Sequence, residues 1–208
     1  DFLAFSAHKM YAPFGIGVLI GHSSIFGKCP PDYKGGGTID IVTPDYVKWA
    51  ELPDKEEAGT PNVMGVVALL ESINMLSSIG MEFIDRYEKG LVNYAYSRLS
   101  KFADIELYDF HKWPDDRVSI IPFNIKGLHH SQTARILSDE GGIGVRNGCF
   151  CAQPYIQKLL KISDEEMEER IKGNVKNPPG FVRFSFGLYN TYEEIDKVVK
   201  LLSKIVKN

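Results

Sequence analysis

Apolar residues recur three and four positions apart through two adjacent stretches near the middle of the chain, and short apolar runs bounded by glycine and proline flank them on both sides. Val66, Leu69, Leu70, Ile73 and Leu76 set one helical face over residues 62–80, which is predicted to be buried. Phe83, Ile84, Tyr87, Leu91, Tyr94 and Leu99 set the inner stripe of a second helix over residues 81–99. Ahead of them, residues 2–5 and 15–20 read as two short buried strands, separated by the polar turn Ser6-Ala7-His8-Lys9 and by Pro13. Beyond them, residues 105–108, 118–124, 144–146 and 181–186 read as strands and residues 131–137 as a helix. Two capping boxes, Ser163 with Glu166 and Thr191 with Glu194, mark late helices, the last carrying Ile195, Val198, Val199, Leu202 and Ile205 on one face. Elements mixed in this way predict an α/β or α+β chain.

The 208 residues, 44% of them hydrophobic and 25% charged, suffice for a packed core. Net charge is −3, and basic and acidic residues are interspersed, so neither nucleic acid nor an anionic membrane is expected as a partner. The longest apolar runs, residues 16–20 and 63–70, fall far short of the ~20 residues of a spanning helix, which predicts a soluble protein. Three cysteines, two of them separated by one residue, make no disulfide framework, and a reducing compartment such as the cytoplasm is expected. The chain opens on Asp1 and passes directly into Phe-Leu-Ala-Phe with no charged leader, which reads as a domain cut from within a longer protein. Residues 29–62, rich in Gly and Pro, are expected to be an ordered functional loop rather than packed elements.

Four segments carry candidate chemistry. Lys9, at a strand end beside a hydroxyl and an imidazole, is either an amine nucleophile or a solvated surface charge. Glycines 35–37, and Gly59-Thr60 just ahead of a helix, form either a phosphate cradle or an ordinary turn. Cys149 and Cys151 lie in a Gly-flanked loop before Pro154, a poor place to bury two structural thiols. As a zinc half-site they lack further ligands at suitable spacing, for only Cys29 and scattered histidines remain, and His129-His130 read as surface residues near a helix start. No metal is assigned. Arg183, in an otherwise apolar strand, offers its fork to a structural carboxylate or to a ligand's.

Six segments occur in one order: Phe-Ser-Ala-His-Lys, Pro-Phe-Gly-Ile-Gly, Gly-Gly-Gly-Thr-Ile, Glu-Ala-Gly-Thr-Pro-Asn, Arg-Asn-Gly-x-x-Cys-Ala and Arg-Phe-Ser. Together they resemble the class V aminotransferases, specifically the cysteine desulfurase and selenocysteine lyase group, over nearly all of the chain. Only residues 155–180 fit poorly, forming a longer connection than usual. The resemblance implies the C-terminal portion of the pyridoxal-phosphate-dependent transferase fold type I. Residues 1–80 would be the end of the large domain and residues 81–208 the small α+β domain.

By the same resemblance, Lys9 would carry pyridoxal 5′-phosphate and move the substrate's Cα proton, Ser6 and His8 would hold the phosphate, and Thr60 would reach the cofactor of a second subunit in a homodimer. Arg183 would grip the amino-acid carboxylate of cysteine or selenocysteine, and Cys151 would accept sulfur as a persulfide for onward transfer to an acceptor protein. Gly-Cys-Phe-Cys, with its additional Cys149, is also similar to molybdenum-cofactor sulfurases. Other relatives implied are selenocysteine lyases and epimerases, and a non-catalytic interaction domain would retain the motifs as ancestry alone. Family members carry a ring-stacking His and an Asp for the pyridine nitrogen before the lysine motif. This chain contains neither, so by itself it is expected to bind cofactor poorly and turn over little.

Overall fold

The computed structural model describes residues 1–108 and 117–206. The chain divides into two compact units, Asp1–Met81 and Glu82–Asn208.

In the first unit, β1 (Phe2–Ser6) pairs antiparallel with β2 (Gly17–Gly21), Ser6 lying opposite Gly17, and a short 3-10 turn, Ala7–Met10, leaves the end of β1. A one-turn helix α1 (Ser23–Phe26) follows. The Gly- and Pro-rich stretch expected to lack packed elements contains an antiparallel hairpin, β3 (Ile39–Val42) with β4 (Val47–Trp49). Its alternation, Ile39-Asp40-Ile41 against Val47-Lys48-Trp49, was masked by the surrounding glycines and prolines. Helix α2 (Val63–Ile79) begins at Asn62, whose side chain accepts the Gly65 N–H, and ends at Gly80, where φ is 89°.

Two burial expectations fail in this unit. Phe2 and Leu3 are 52% and 57% exposed, because β1 and β2 form a ribbon of two strands with no further strand beside it among the described residues. Val66, Leu70 and Ile73 are exposed as well, and the buried line of α2 is Gly65, Leu69 and Ser72. A helix apolar on every side carries no periodic contrast, so its sequence does not announce which face packs. The core here is small: Ala7, Ala12 and Leu69, with Phe5, Ile16, Val18 and Ala68 against them.

The second unit is built on an antiparallel sheet in the order β5-β6-β8-β7, comprising β5 (Ile105–Leu107), β6 (Ile120–Ile125), β7 (Arg146–Gly148) and β8 (Phe181–Ser185). Helix α3 (Met81–Leu99) leads into β5, and α4 (His130–Gly141) joins β6 to β7. Between β7 and β8 lie α5 (Gln153–Leu159) and α6 (Asp164–Ile171), and α7 (Tyr192–Ile205) follows β8. Ile121 and Phe123 of β6 stand opposite Phe184 and Val182 of β8, so all four share one face. Leu91, Val92 and Leu99 of α3, Leu137 of α4 and Leu202 of α7 complete that core. The Phe123 and Phe184 rings stack with centroids 4.7 Å apart.

Phe83, expected in the inner stripe of α3, is exposed and stacks on Tyr87. His130, expected at the surface, is buried. Of the two capping boxes, Thr191 with Glu194 is reciprocal, whereas Ser163 caps Glu166 N–H but the Glu166 carboxylate turns instead to Arg170 at 2.6 Å. Among the described residues no single helix is long and apolar enough to cross a membrane.

Phe123 is wholly buried, and Phe123→Ala is expected to cost about 3–5 kcal/mol of stability, read as a fall in the urea midpoint at unchanged slope.

Candidate functional site

Lys9 sits on the 3-10 turn that β1 feeds. Ala7 N–H donates to the Ile16 carbonyl at 2.9 Å and Ala12 N–H to the Ala7 carbonyl at 3.1 Å, which closes the turn on itself. Helix α2 then pins it from below, because Ser72 Oγ donates to the Met10 carbonyl and Asn62 Nδ2 donates to the Phe14 carbonyl at 2.6 Å. Gly65 permits this approach: a Cβ there would stand 2.6 Å from Asn62 Nδ2 and 3.0 Å from Ile16 Cβ. With Ala7 fully buried as the pivot, the His8 and Lys9 side chains are directed outward and are exposed. Ser6 precedes the turn without capping it, so its hydroxyl is not spent on the backbone. Hydroxyl, imidazole and amine therefore stand together with no acid among residues 6–9, a donor set suited to an anion bearing an electrophile.

Thr60 stands on a second platform of the same unit. Gly59, with φ of 84°, donates its N–H to the Gly36 carbonyl at 2.8 Å, joining the two Gly-rich loops. The Thr38 hydroxyl donates to the Gly35 carbonyl at 2.7 Å and locks the first of them. Lys55, which sequence reasoning missed, is buried nearby and donates to the Phe26 carbonyl and, at 2.8 Å, to that of Cys29. The exposed Thr60 hydroxyl lies just before the cap of α2.

The second unit holds the other candidates. Arg146 of β7 pairs directly with Arg183 of β8, which puts two guanidiniums on one face of adjacent strands. Arg183 Nε donates to Ser185 Oγ at 3.1 Å, and its guanidinium lies over the Phe150 ring at 5.0 Å. Partial burial, then the like charge of Arg146, holds the Arg183 guanidinium below its ordinary range. Neither arginine has a carboxylate partner among the described residues, so an anionic ligand would relieve both. Arg146 Nη2 lies 3.8 Å from Cys151 Sγ.

Cys151 occupies a four-residue turn closed by the Ala152 N–H to the Cys149 carbonyl at 2.8 Å. Its central residues, Phe150 and Cys151, have φ of 52° and 61°. Positive φ at both centres is the pattern of a type I′ turn, ordinarily left to Gly, Asn or Asp, and costs about 1–3 kcal/mol for each of these side chains. The outcome is an exposed thiol at the apex. A cleft of about 810 Å³ opens on this turn, with Cys149, Cys151, Arg146, Arg170 and Lys176 among its walls.

The buried His130 bridges the Asn147 side chain through Nδ1 and the Pro178 carbonyl through Nε2, each at 3.0 Å. Asn147 follows Arg146 in β7 and Pro178 lies three residues before β8, so one imidazole links β7 to the segment that enters β8. Adjacent His dipeptides carry no sequence signal for this; Gly65 did, since a helix-interior glycine costs about 1 kcal/mol and usually marks close packing.

A mixed α/β first unit with an acid-free lysine turn, and an α+β second unit with a thiol beside paired guanidiniums, agree with the fold type I transferase class, to which the chain's structural relatives assign it. A cysteine desulfurase structure from Thermococcus onnurineus NA1 superposes over 100% of the chain at TM-score 0.85 and 35% identity, with 47% of that protein covered. A cysteine desulfurase from Escherichia coli, solved in an S-sulfonic acid form, gives TM-score 0.81 and 30% identity, with 46% of it covered. The sequence profile of the class-V aminotransferases matches residues 1–198, and the chain belongs to that family. A probable cysteine desulfurase of Staphylococcus aureus is 38% identical over 204 residues, which span 98% of this chain and 45% of that protein. The chain thus spans about half the length of the curated relatives it matches.

Gly65→Ala gains about 1 kcal/mol of helix propensity but displaces the Asn62 cap; the expected net result is destabilisation with faster amide exchange over residues 7–16. His130→Ala removes a buried imidazole and its bonds to the Asn147 side chain and the Pro178 carbonyl, which keeps His129 Nε2 at 3.2 Å, and is expected to cost about 1–3 kcal/mol in denaturant unfolding.

Proposed function

We propose that the whole protein is a pyridoxal-phosphate-dependent cysteine desulfurase, a reading carried by the exposed Cys151 thiol on a left-handed turn beside two guanidiniums that lack acid partners. The names of relatives at 35–38% identity support the same activity. The donor set of residues 6–9 fits the cofactor: Ser6 and His8 would donate to its phosphate, and Lys9 would hold its aldehyde carbon through the amine. When bound, pyridoxal phosphate supplies an electron sink that weakens the bonds at the substrate's Cα.

The chain's own residues do the rest. Arg183 presents its fork to the substrate carboxylate and so fixes which Cα bond is poised for cleavage. Lys9, freed as an amine, carries the proton from Cα and returns one as alanine forms. The Cys151 sulfur attacks the sulfur of cysteine, the C–S bond breaks, and the sulfur remains on Cys151 as a persulfide. Selenocysteine would meet the same groups. Thr60, on its exposed platform, would reach the phosphate of a second subunit's cofactor in a homodimer. An acceptor protein would draw sulfur from the exposed turn, and a reducing cytoplasmic setting would keep the thiol free.

Incubation of the whole protein with L-cysteine, following alanine and protein-bound sulfur, tests this reading. Cys151→Ala is expected to abolish bound sulfur, Lys9→Ala to abolish alanine, and Arg183→Lys to raise KM about 10- to 100-fold. Bound sulfur that persists in Cys151→Ala would overturn the assignment.

A further inference from the structure

The second thiol of the turn has no task in the reaction above. Cys149 is the first residue of the four-residue turn and Cys151 the third, and both line the same cleft. Two residues span at most about 7 Å even when extended and less within a turn, which brings the pair into disulfide range. Cys149 is half-buried while Cys151 is exposed. A sulfur added to the exposed Cys151 Sγ therefore stands in the cleft that Cys149 also lines. Arg146, 3.8 Å from Cys151 Sγ, places a cation beside any anion leaving that atom. The Ala152 N–H to Cys149 carbonyl hydrogen bond keeps the turn curled against the strain at Phe150 and Cys151, with the two cysteines on one closed loop.

We infer that Cys149 is a resolving thiol that converts the Cys151 persulfide into free sulfide. Its thiolate attacks Cys151 Sγ, a Cys149–Cys151 bond forms, and the Sγ–S bond of the persulfide breaks. The electron pair leaves with hydrosulfide, which takes up a proton from solvent. Oxidation state is conserved, because the sulfane sulfur is reduced to sulfide as the two cysteine thiols become a disulfide. A dithiol reductant then resets the pair. Sulfide reaches solution by this route, in competition with transfer of the same sulfur from the exposed turn to an acceptor protein. This deepens the desulfurase reading and rests on it for the origin of the persulfide.

The chemistry can be separated from that origin. The chain is loaded with inorganic polysulfide, freed of excess reagent by desalting, and followed by peptide mass analysis and sulfide release. The unchanged chain is expected to lose the added sulfur, release one sulfide per chain, and acquire a bond linking Cys149 to Cys151 that dithiothreitol removes. Cys149→Ser is expected to retain the extra sulfur on Cys151 and release none, and Cys151→Ser to form no disulfide. Retention of sulfur on Cys151 in the unchanged chain for as long as in Cys149→Ser overturns the inference, and so does migration of sulfur to Cys149 without sulfide release. Loading with polysulfide needs no cofactor and no cysteine turnover. Failure of alanine release with L-cysteine therefore counts against the desulfurase reading alone, and failure of the disulfide to form counts against the resolving thiol alone.

Discussion

The second unit depends on the two-residue alternation of one strand. In β8, Val182 and Phe184 enter the core while Arg183 turns to the opposite face, and β8 is the strand to which both β6 and β7 pair. A register slip of one residue would exchange these faces, burying a guanidinium and exposing two core side chains. The stacking of Phe123 on Phe184 therefore secures the direction of Arg183 as well as the core. Because Arg146 stands directly opposite on β7, the same register sets the pair of cations and the placement of the Cys151 turn that follows β7.

The first unit solves a similar problem with little core. A turn presenting His8 and Lys9 to solvent, with Ser6 half-buried ahead of them, has few apolar groups of its own, so its rigidity comes from the helix below. Gly65 lets α2 approach, Leu69 packs on Ala7 and Ala12, and Ser72 and Asn62 satisfy two carbonyls of the turn and its continuation. Backbone groups bound this way are costly to release, so the donors of residues 6–9 stay preorganised.

Strain and thiol chemistry coincide in residues 149–152. Positive φ at Phe150 and Cys151 is opposed by their side chains and sustained by the Ala152–Cys149 hydrogen bond, by the Arg183 contact with the Phe150 ring, and by the strand pairing on the N-terminal side. A turn held in this way exposes Cys151 and keeps Cys149 at its base, so the two thiols differ in access although they are neighbours in sequence.

The sequence by itself determined the mixed α/β character, the helices α2, α3 and α7, the strands β5, β6 and β8, and the candidate residues for the chemistry, because hydrophobic period and motif order are local properties; β7 lies two residues later than the expected 144–146. Val66, Leu70 and Ile73 show its limit: on a helix apolar all round, the buried face is chosen by what packs there, and small residues of a neighbouring turn chose Gly65, Leu69 and Ser72. The β3–β4 hairpin was hidden by the glycines around it, and His130 looked like a surface residue because its partners Asn147 and Pro178 lie 17 and 48 positions away. Only the tertiary structure decided that Arg146 faces Arg183 and that Cys151 lies beside them. Strand register and a left-handed turn set those distances, and both arise from contacts between segments far apart in the chain.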